Sequence, residues 1–459
     1  MTANASRRAF LQRASSLSLA GVAAPWALNL AAMSQASAAT ATDYKALVCV
    51  FLYGGNDYGN TLIPYDSSRY PLYQAMRPTL AYARSDLAAT ALTPNVALAS
   101  GLQYALAPEL SPLLPIFNAG KMGVMLNVGT LVRPTTKAQY TAGTATLPPR
   151  LFSHNDQQSV WQSSSPEGAG SGWAGRMGDL FESGNGNATF TCINVASNAV
   201  YLSGKSATQY QVAPTGPVAL AGLKTPLFGS SACSTALQNL VTASSNNPFE
   251  NEYSRVMSRS LSAGSALNTA LTSATALATP FPTAGQNSLA DQLKMVAQMI
   301  STAGNVGAKR QVFFVSMGGF DTHDGLGTTH PALLAKVSQA LSAFYAATVE
   351  LGVANQVTTF TASDFGRTLT ANDGSDHGWG SMHFMLGGAV KGGRFYGSAP
   401  AVADNGPDDV GQGRLLPSTS VDQYAATMGT WLGIGASDLA TVLPNLSNWD
   451  ASQRNLGFV

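Results

Sequence analysis

The sequence predicts an α/β fold, a doubly wound and mostly parallel sheet with helices on both faces. Short apolar runs of strand length recur along the chain, and helical periodicities lie between them. Clusters of glycine, aspartate and histidine follow directly on several of the runs, where open α/β sheets bind their ligands.

The strand runs are 46–53, 123–128, 190–195, 312–317 and 357–363, with 383–390 as a further candidate. They are apolar at nearly every position, as strands covered on both faces must be. The clearest helix is 332–349, where Leu333, Leu334, Val337, Leu341, Phe344, Tyr345 and Val349 recur at three- and four-residue spacing. Stretches 289–300 and 421–432 read similarly. Residues 230–286 are rich in Ser, Ala, Thr and Asn and poor in large apolar residues. A linker would have that composition, but the alanine content and the pattern at 253–267 favour a helical insertion on the sheet's flank. The reading is therefore one α/β domain over 40–459, and no internal repeat is evident.

At 459 residues the chain can bury a sizeable core. Charged residues make up 11%, against roughly 25% in ordinary soluble proteins, and the net charge is +1. With neither a basic stripe nor an aromatic–arginine platform, nucleic acid is excluded as a partner. The three cysteines, Cys49, Cys192 and Cys233, are too few and scattered for a disulfide framework or a cysteine-based zinc site. Cys49 lies in an apolar run and reads as a small buried hydrophobe. A Cys192–Cys233 bridge is the pairing an oxidising compartment would allow.

The N-terminus reads Ser6-Arg7-Arg8-Ala9-Phe10-Leu11-Gln12, then a mildly apolar stretch over 14–33, then Ala36-Ser37-Ala38-Ala39. This is the order of a twin-arginine signal peptide (1–39) with cleavage near Ala38 or Ala39. Gly21, Pro25 and Asn29 interrupt the apolar run and argue against a membrane anchor. The expected partner during export is the Tat translocon, and the expected destination is the periplasm or the exterior. That route carries folded proteins, often with a metal already loaded.

The polar strand ends carry the candidate chemistry. Gly54-Gly55-Asn56-Asp57 follows the first run, and Gly318-Gly319-Phe320-Asp321-Thr322-His323 follows the fourth. Asp364-Phe365-Gly366-Arg367-Thr368 follows the fifth, leading into Asp373-Gly374-Ser375-Asp376-His377-Gly378. The chain has five histidines; His323 and His377 fall in these loops, and His154 lies in Ser153-His154-Asn155-Asp156-Gln157. Carboxylates and imidazoles from separate strand ends suit a divalent cation. Each residue also has a plainer reading. Asp57 suits a turn or helix cap, and Asp373 and Asp376 can simply shape their loop. His383 fits a satisfied core position, and His330 stands before Pro331 at a helix start. Arg367 can bind an anion bidentately or pair with one of these acids.

These segments together resemble the Tat-exported proteins grouped as domain of unknown function 1501. The matching residues are Leu52–Asp57 with Asn60-Thr61-Leu62-Ile63-Pro64, Ser153-His154, Gly318–His323, Ser363–Thr368, Asp376–Gly380 and Leu386–Gly393. The ending, from Tyr424 through Trp431-Leu432-Gly433 to Pro444-Asn445-Leu446, fits as well. That family in turn resembles the alkaline phosphatase and sulfatase superfamily, which implies hydrolysis of phosphate or sulfate esters with metal ions. Carried across by order, the resemblance implies Asp321, His323 and His377 at one site for zinc, calcium, manganese or magnesium. It places Asp364 with Asp57 at a second. It implies Ser153, beside His154, as nucleophile, with Thr61 in reserve. Three departures stand out: Phe365 where two-metal phosphatases have histidine, the tight Asp321-x-His323 step, and the lack of a Cys-x-Pro-x-Arg run. Members are often encoded beside another exported family. A non-catalytic binding or surface-assembly protein on the same fold is therefore the alternative.

Overall fold

The computed structural model describes residues 42–459, so the expected signal peptide lies outside the described residues. The strands are β1 (Lys45–Leu52), β2 (Leu62–Pro64), β3 (Tyr104–Leu106), β4 (Met122–Gly129), β5 (Cys192–Asn194) and β6 (Tyr210–Ala213). They continue with β7 (Gly216–Pro217), β8 (Arg310–Met317), β9 (Val357–Ser363), β10 (Ser381–Leu386), β11 (Arg394–Tyr396) and β12 (Thr419–Ser420). The helices that matter below are α1 (Tyr70–Met76), α2 (His154–Ser163), α3 (Trp173–Phe181), α4 (Ser231–Thr242), α5 (Pro248–Thr272), α6 (Ser288–Ser301), α7 (Leu326–Glu350) and α8 (Val421–Leu432).

One sheet runs in the order β11-β4-β10-β9-β1-β8-β5-β6-β7, with β12 beside β4, while β2 and β3 form a separate pair. The central pairs β9–β1, β1–β8 and β8–β5 are parallel. The strand expected at 383–390 is β10, shifted two residues toward the N-terminus at its start, and it runs antiparallel to both β9 and β4. That reversal follows from connectivity. Residues 364–380 hold neither helix nor crossover and bring the chain back into the sheet at the end where β9 leaves it, so β10 enters in the opposite sense. The fold is thus α/β with a mixed, mostly parallel sheet.

Strand β1 shows why the central runs are apolar throughout. Val48, Val50 and Leu52 pack into one core with Leu293 and Val296 of α6 and Leu334 and Leu341 of α7. Leu47, Cys49 and Phe51 point the other way, onto Trp173 and Met177 of α3 and Tyr424 and Met428 of α8. Alternate side chains go to opposite faces, so a strand between two helical layers has no polar side.

Helix α7 begins six residues before the sequence expectation. Asp373 accounts for the extension: its carboxylate accepts from Gly325 N at 2.9 Å and its carbonyl from Leu326 N at 3.1 Å. Those bonds satisfy amides that a helix start otherwise leaves bare. Residues 230–286 hold α4 and α5. Neither helix is deeply seated: α4 buries no residue, and α5 buries Ser254, Ala263, Leu267 and Ala270. Cys192 is buried on β5, Cys233 sits on α4, and all three cysteines are free thiols, so the Cys192–Cys233 bridge is not formed.

Candidate metal centre

The sheet directions bring five segments to one edge. β1, β8 and β9 end there, β4 ends there before the chain continues to α2, and the loop entering antiparallel β10 starts there. His154 opens α2, Asp321 and His323 follow β8, and Asp364 and Arg367 follow β9. His377 is held against Arg367 in an antiparallel bridge within the loop before β10.

Three imidazoles and one carboxylate converge. His377 Nε2 lies 3.0 Å from His154 Nε2 and 2.9 Å from His323 Nε2. Asp321 oxygens lie 3.4 Å from His154 Nε2, 3.0 Å from His323 Nε2 and 3.3 Å from His377 Nε2. A tetrahedron drawn with metal–nitrogen bonds of about 2.0–2.1 Å has edges of about 3.4 Å. His154, Asp321 and His377 offer three donors spaced nearly as one tetrahedral ion would space them, while His323 groups with His377 and Asp376 instead. His154 and His377 are 26% and 22% exposed against 44% and 45% for Asp321 and His323, so the cluster is walled on one side and open on the other.

The atoms behind the rings fix their protonation. His377 Nδ1 lies 2.7 Å from the Phe152 carbonyl, which can only accept, so Nδ1 carries the hydrogen and Nε2 of the neutral ring carries a lone pair. Burial pushes the His377 pKa down and favours that neutral ring. His154 Nδ1 lies 2.6 Å from Asp364 Oδ2, and this hydrogen bond raises the His154 pKa. Two nitrogen lone pairs cannot face each other at 3.0 Å without a cation between them. A proton on His154 Nε2 can serve, and so can a metal ion in its place.

Local backbone geometry is bent to this purpose. Phe152, whose carbonyl orients His377, has a left-handed φ of 73°, and Arg150 two residues earlier has 47°. Both are uncommon for residues with a side chain. Gly54 has a φ of +114°, and a Cβ there would fall 2.3 Å from Asp321 N. Only glycine lets this turn pass so close that Gly54 N reaches Asp364 Oδ2 at 3.2 Å while its carbonyl receives Arg367 Nη1 at 2.7 Å.

The remaining candidates fall in several places. Asp364 stands behind His154 as its orienting carboxylate; Oδ2 also accepts from Gln158 Nε2 at 2.7 Å, and Oδ1 is buried without a hydrogen-bond partner among the described residues. Arg367 is fully buried and donates to Gly54 O, to Ser375 and, at 2.9 Å, to Asp321 Oδ1. Of the two readings for Arg367, pairing with an acid is the one observed. Asp57 is not among the converging ligands. It is buried in a two-pronged ion pair with Arg77, just beyond α1, at 2.8 and 2.7 Å. It also caps Asn60 N and accepts from Ser375 Oγ. Burial alone would raise its pKa, but the Arg77 charge and these hydrogen bonds bring it down to about 2. Thr61 is 1% exposed and donates to the Asp57 carbonyl at 2.7 Å, which leaves it no access to a substrate. Ser153 precedes His154 and directs its hydroxyl to Asp156 Oδ2 at 2.9 Å. His330 and His383 are both fully buried, His330 against Asn56 and His383 against Trp161 and Thr361.

Sequence reasoning missed Gln158, Arg77 and the Phe152 carbonyl. Gln158 was findable, since it lies four residues after His154 and so on the same face of a helix. Arg77 and Phe152 gave no local signal.

Fold and cluster together define a class: an α/β protein with a histidine–carboxylate cluster, suited to a cation, at the carboxyl edge of its sheet. Residues 44–441 match the family described as Protein of unknown function (DUF1501), and the chain belongs to that family. Among solved structures it is similar to Ps i-CgsB in complex with k-i-k-neocarrahexaose, at 9% identity and a TM-score of 0.36, over 89% of this chain and 77% of that one. It is also similar to a protein from work on metabolism of multiple glycosaminoglycans by Bacteroides thetaiotaomicron. That match has 12% identity, a TM-score of 0.36, and coverage of 86% and 74%. Likeness at this level says nothing about activity. No curated protein matches the chain.

Proposed function

We propose that this protein is an exported, metal-dependent hydrolase of phosphate or sulfate esters, reaching the periplasm or the exterior by the Tat route. A single divalent cation would be held by His154, His377 and Asp321, with His323 beside them on His377. The observation that carries the reading is the facing pair of Nε2 atoms, each ring oriented from behind by an acceptor at Nδ1. Two imidazole nitrogens and a carboxylate suit zinc better than magnesium or calcium, which prefer all-oxygen shells. Such an ion, when bound, supplies Lewis-acid polarisation of an ester oxygen and makes bound water acidic near neutral pH.

The chain's own groups do the rest. Asp364 keeps the His154 proton on Nδ1, and Arg367 pins Asp321 in place. Ser153 remains the candidate nucleophile, with Asp156 Oδ2 positioned to accept its hydroxyl proton. One observation favours a non-catalytic binding or surface-assembly protein instead. Arg367 is occupied by protein acceptors, so this guanidinium is not free to hold an anionic ester.

The test is elemental analysis of the folded protein, purified without chelators or an affinity-tag metal, beside hydrolysis of para-nitrophenyl phosphate and sulfate. About one equivalent of metal in the wild type, lost together with turnover in Asp321→Ala and His377→Ala, is expected. Less than about a tenth of an equivalent after adding metals back would overturn the reading.

A further inference from the structure

Helix α2 presents a second polar surface, which touches the metal centre only through Gln158. Asn155, Gln158, Ser159 and Gln162 lie at i, i+3, i+4 and i+7, which is one face of the helix. On a helix packed into a protein that stripe is normally apolar. Here it lines an open cleft of about 330 Å³, bordered also by Tyr53, the turn at Glu167 and the Asn198 loop. That volume falls in the range of small-molecule sites, about 300–1,000 Å³.

The cleft adjoins the cluster through shared residues. Gln158 lines it and donates to Asp364, the carboxylate behind His154. Asn155 is the residue after His154, and Tyr53 precedes Gly54, whose amide and carbonyl hold Asp364 and Arg367. The Gln158 end of the cleft is thus one carboxylate away from His154, on the Nδ1 side of its ring.

The lining selects its occupant. It offers amides, a hydroxyl and a phenol, with one carboxylate, Glu167, and neither lysine nor arginine. A polyanion or a nucleotide would meet no balancing charge, and an aryl group would find few apolar walls. Amides donate and accept side by side, which matches a hydroxyl that also does both. Among the described residues, Asn155 and Asn198 have no side-chain hydrogen bond within the protein, so both are available.

We infer that this cleft is the subsite for the alcohol half of the ester, and that this half is a neutral, hydroxyl-rich group of the sugar or polyol kind. The inference rests on the reading of the cluster as a hydrolytic centre, but binding in the cleft can be read without turnover. The experiment is saturation-transfer NMR on the metal-loaded protein. The probes are methyl glucoside, methyl galactoside, methyl mannoside and inositol, each against wild type and Ala169→Trp, which fills the cleft. Transfer to at least one probe, reduced at least tenfold in Ala169→Trp with metal content unchanged, is the expected result. Should Ala169→Trp fail to fold, Asn198→Leu on the opposite wall replaces it, with the same reduction expected. No transfer to any probe, or equal transfer in the occluded variant, overturns the subsite. Transfer without ester hydrolysis by the metal-loaded protein would keep the subsite and overturn the hydrolase.

Discussion

Asp57 and Asp364 look alike in the sequence, each an aspartate just past a strand, yet they hold different posts. Asp57 neutralises Arg77 where both side chains are wholly buried. Asp57→Asn should leave metal content unchanged and cost about 3–5 kcal/mol by stranding the guanidinium, measurable as a lower denaturant midpoint. Asp364→Asn should do the reverse in emphasis. With His154 no longer oriented by a charged acceptor, metal affinity should fall about 10–100-fold in competition with a chelator, short of complete loss. Equal metal loss in both variants would mean that Asp57 belongs to the site after all.

At the scale of elements, α8 carries an unusual carboxyl near its start. Asp422 is buried, and although Ser164 Oγ donates to it at 3.3 Å, burial prevails and raises its pKa to about 6. The folded chain therefore holds this proton between about pH 4 and pH 6, where the unfolded chain has released it. Stability from this group is present below pH 4 and lost as pH rises through 6, by up to roughly 3 kcal/mol. Asp422→Asn should remove that slope, as seen by comparing denaturant midpoints at pH 4 and pH 7 in both proteins. An unchanged slope would show that Asp422 is not its source. The α4–α5 pair makes the opposite kind of element. With no residue of α4 buried, its amides should exchange with deuterium far faster than those of β1, β8 and β9, which are buried along nearly their whole length. Comparable protection in α4 would indicate a partner covering it.

For the whole molecule, the sheet is what makes a site from scattered motifs. The cluster draws on His154 and His377, which are 223 residues apart, and on Asp321 and His323 between them. The central strand runs and the helices 289–300, 332–349 and 421–432 were legible because burial on both faces of a sheet, or along one stripe of a helix, writes itself into local periodicity. Strand β10 was legible as a strand but not in direction, since an apolar run reads the same forwards and backwards. Among the site residues, the sequence by itself determined the chemistry on offer: histidines and carboxylates at the carboxyl ends of strands, with glycines that let the backbone turn there. It could not assign their posts. Whether an aspartate meets an arginine, as Asp57 meets Arg77, or stands behind a histidine, as Asp364 does, depends on which distant segment the fold lays against it. Charge pairing and hydrogen bonding act over a few ångströms in space, and only the tertiary structure decides which residues share that space.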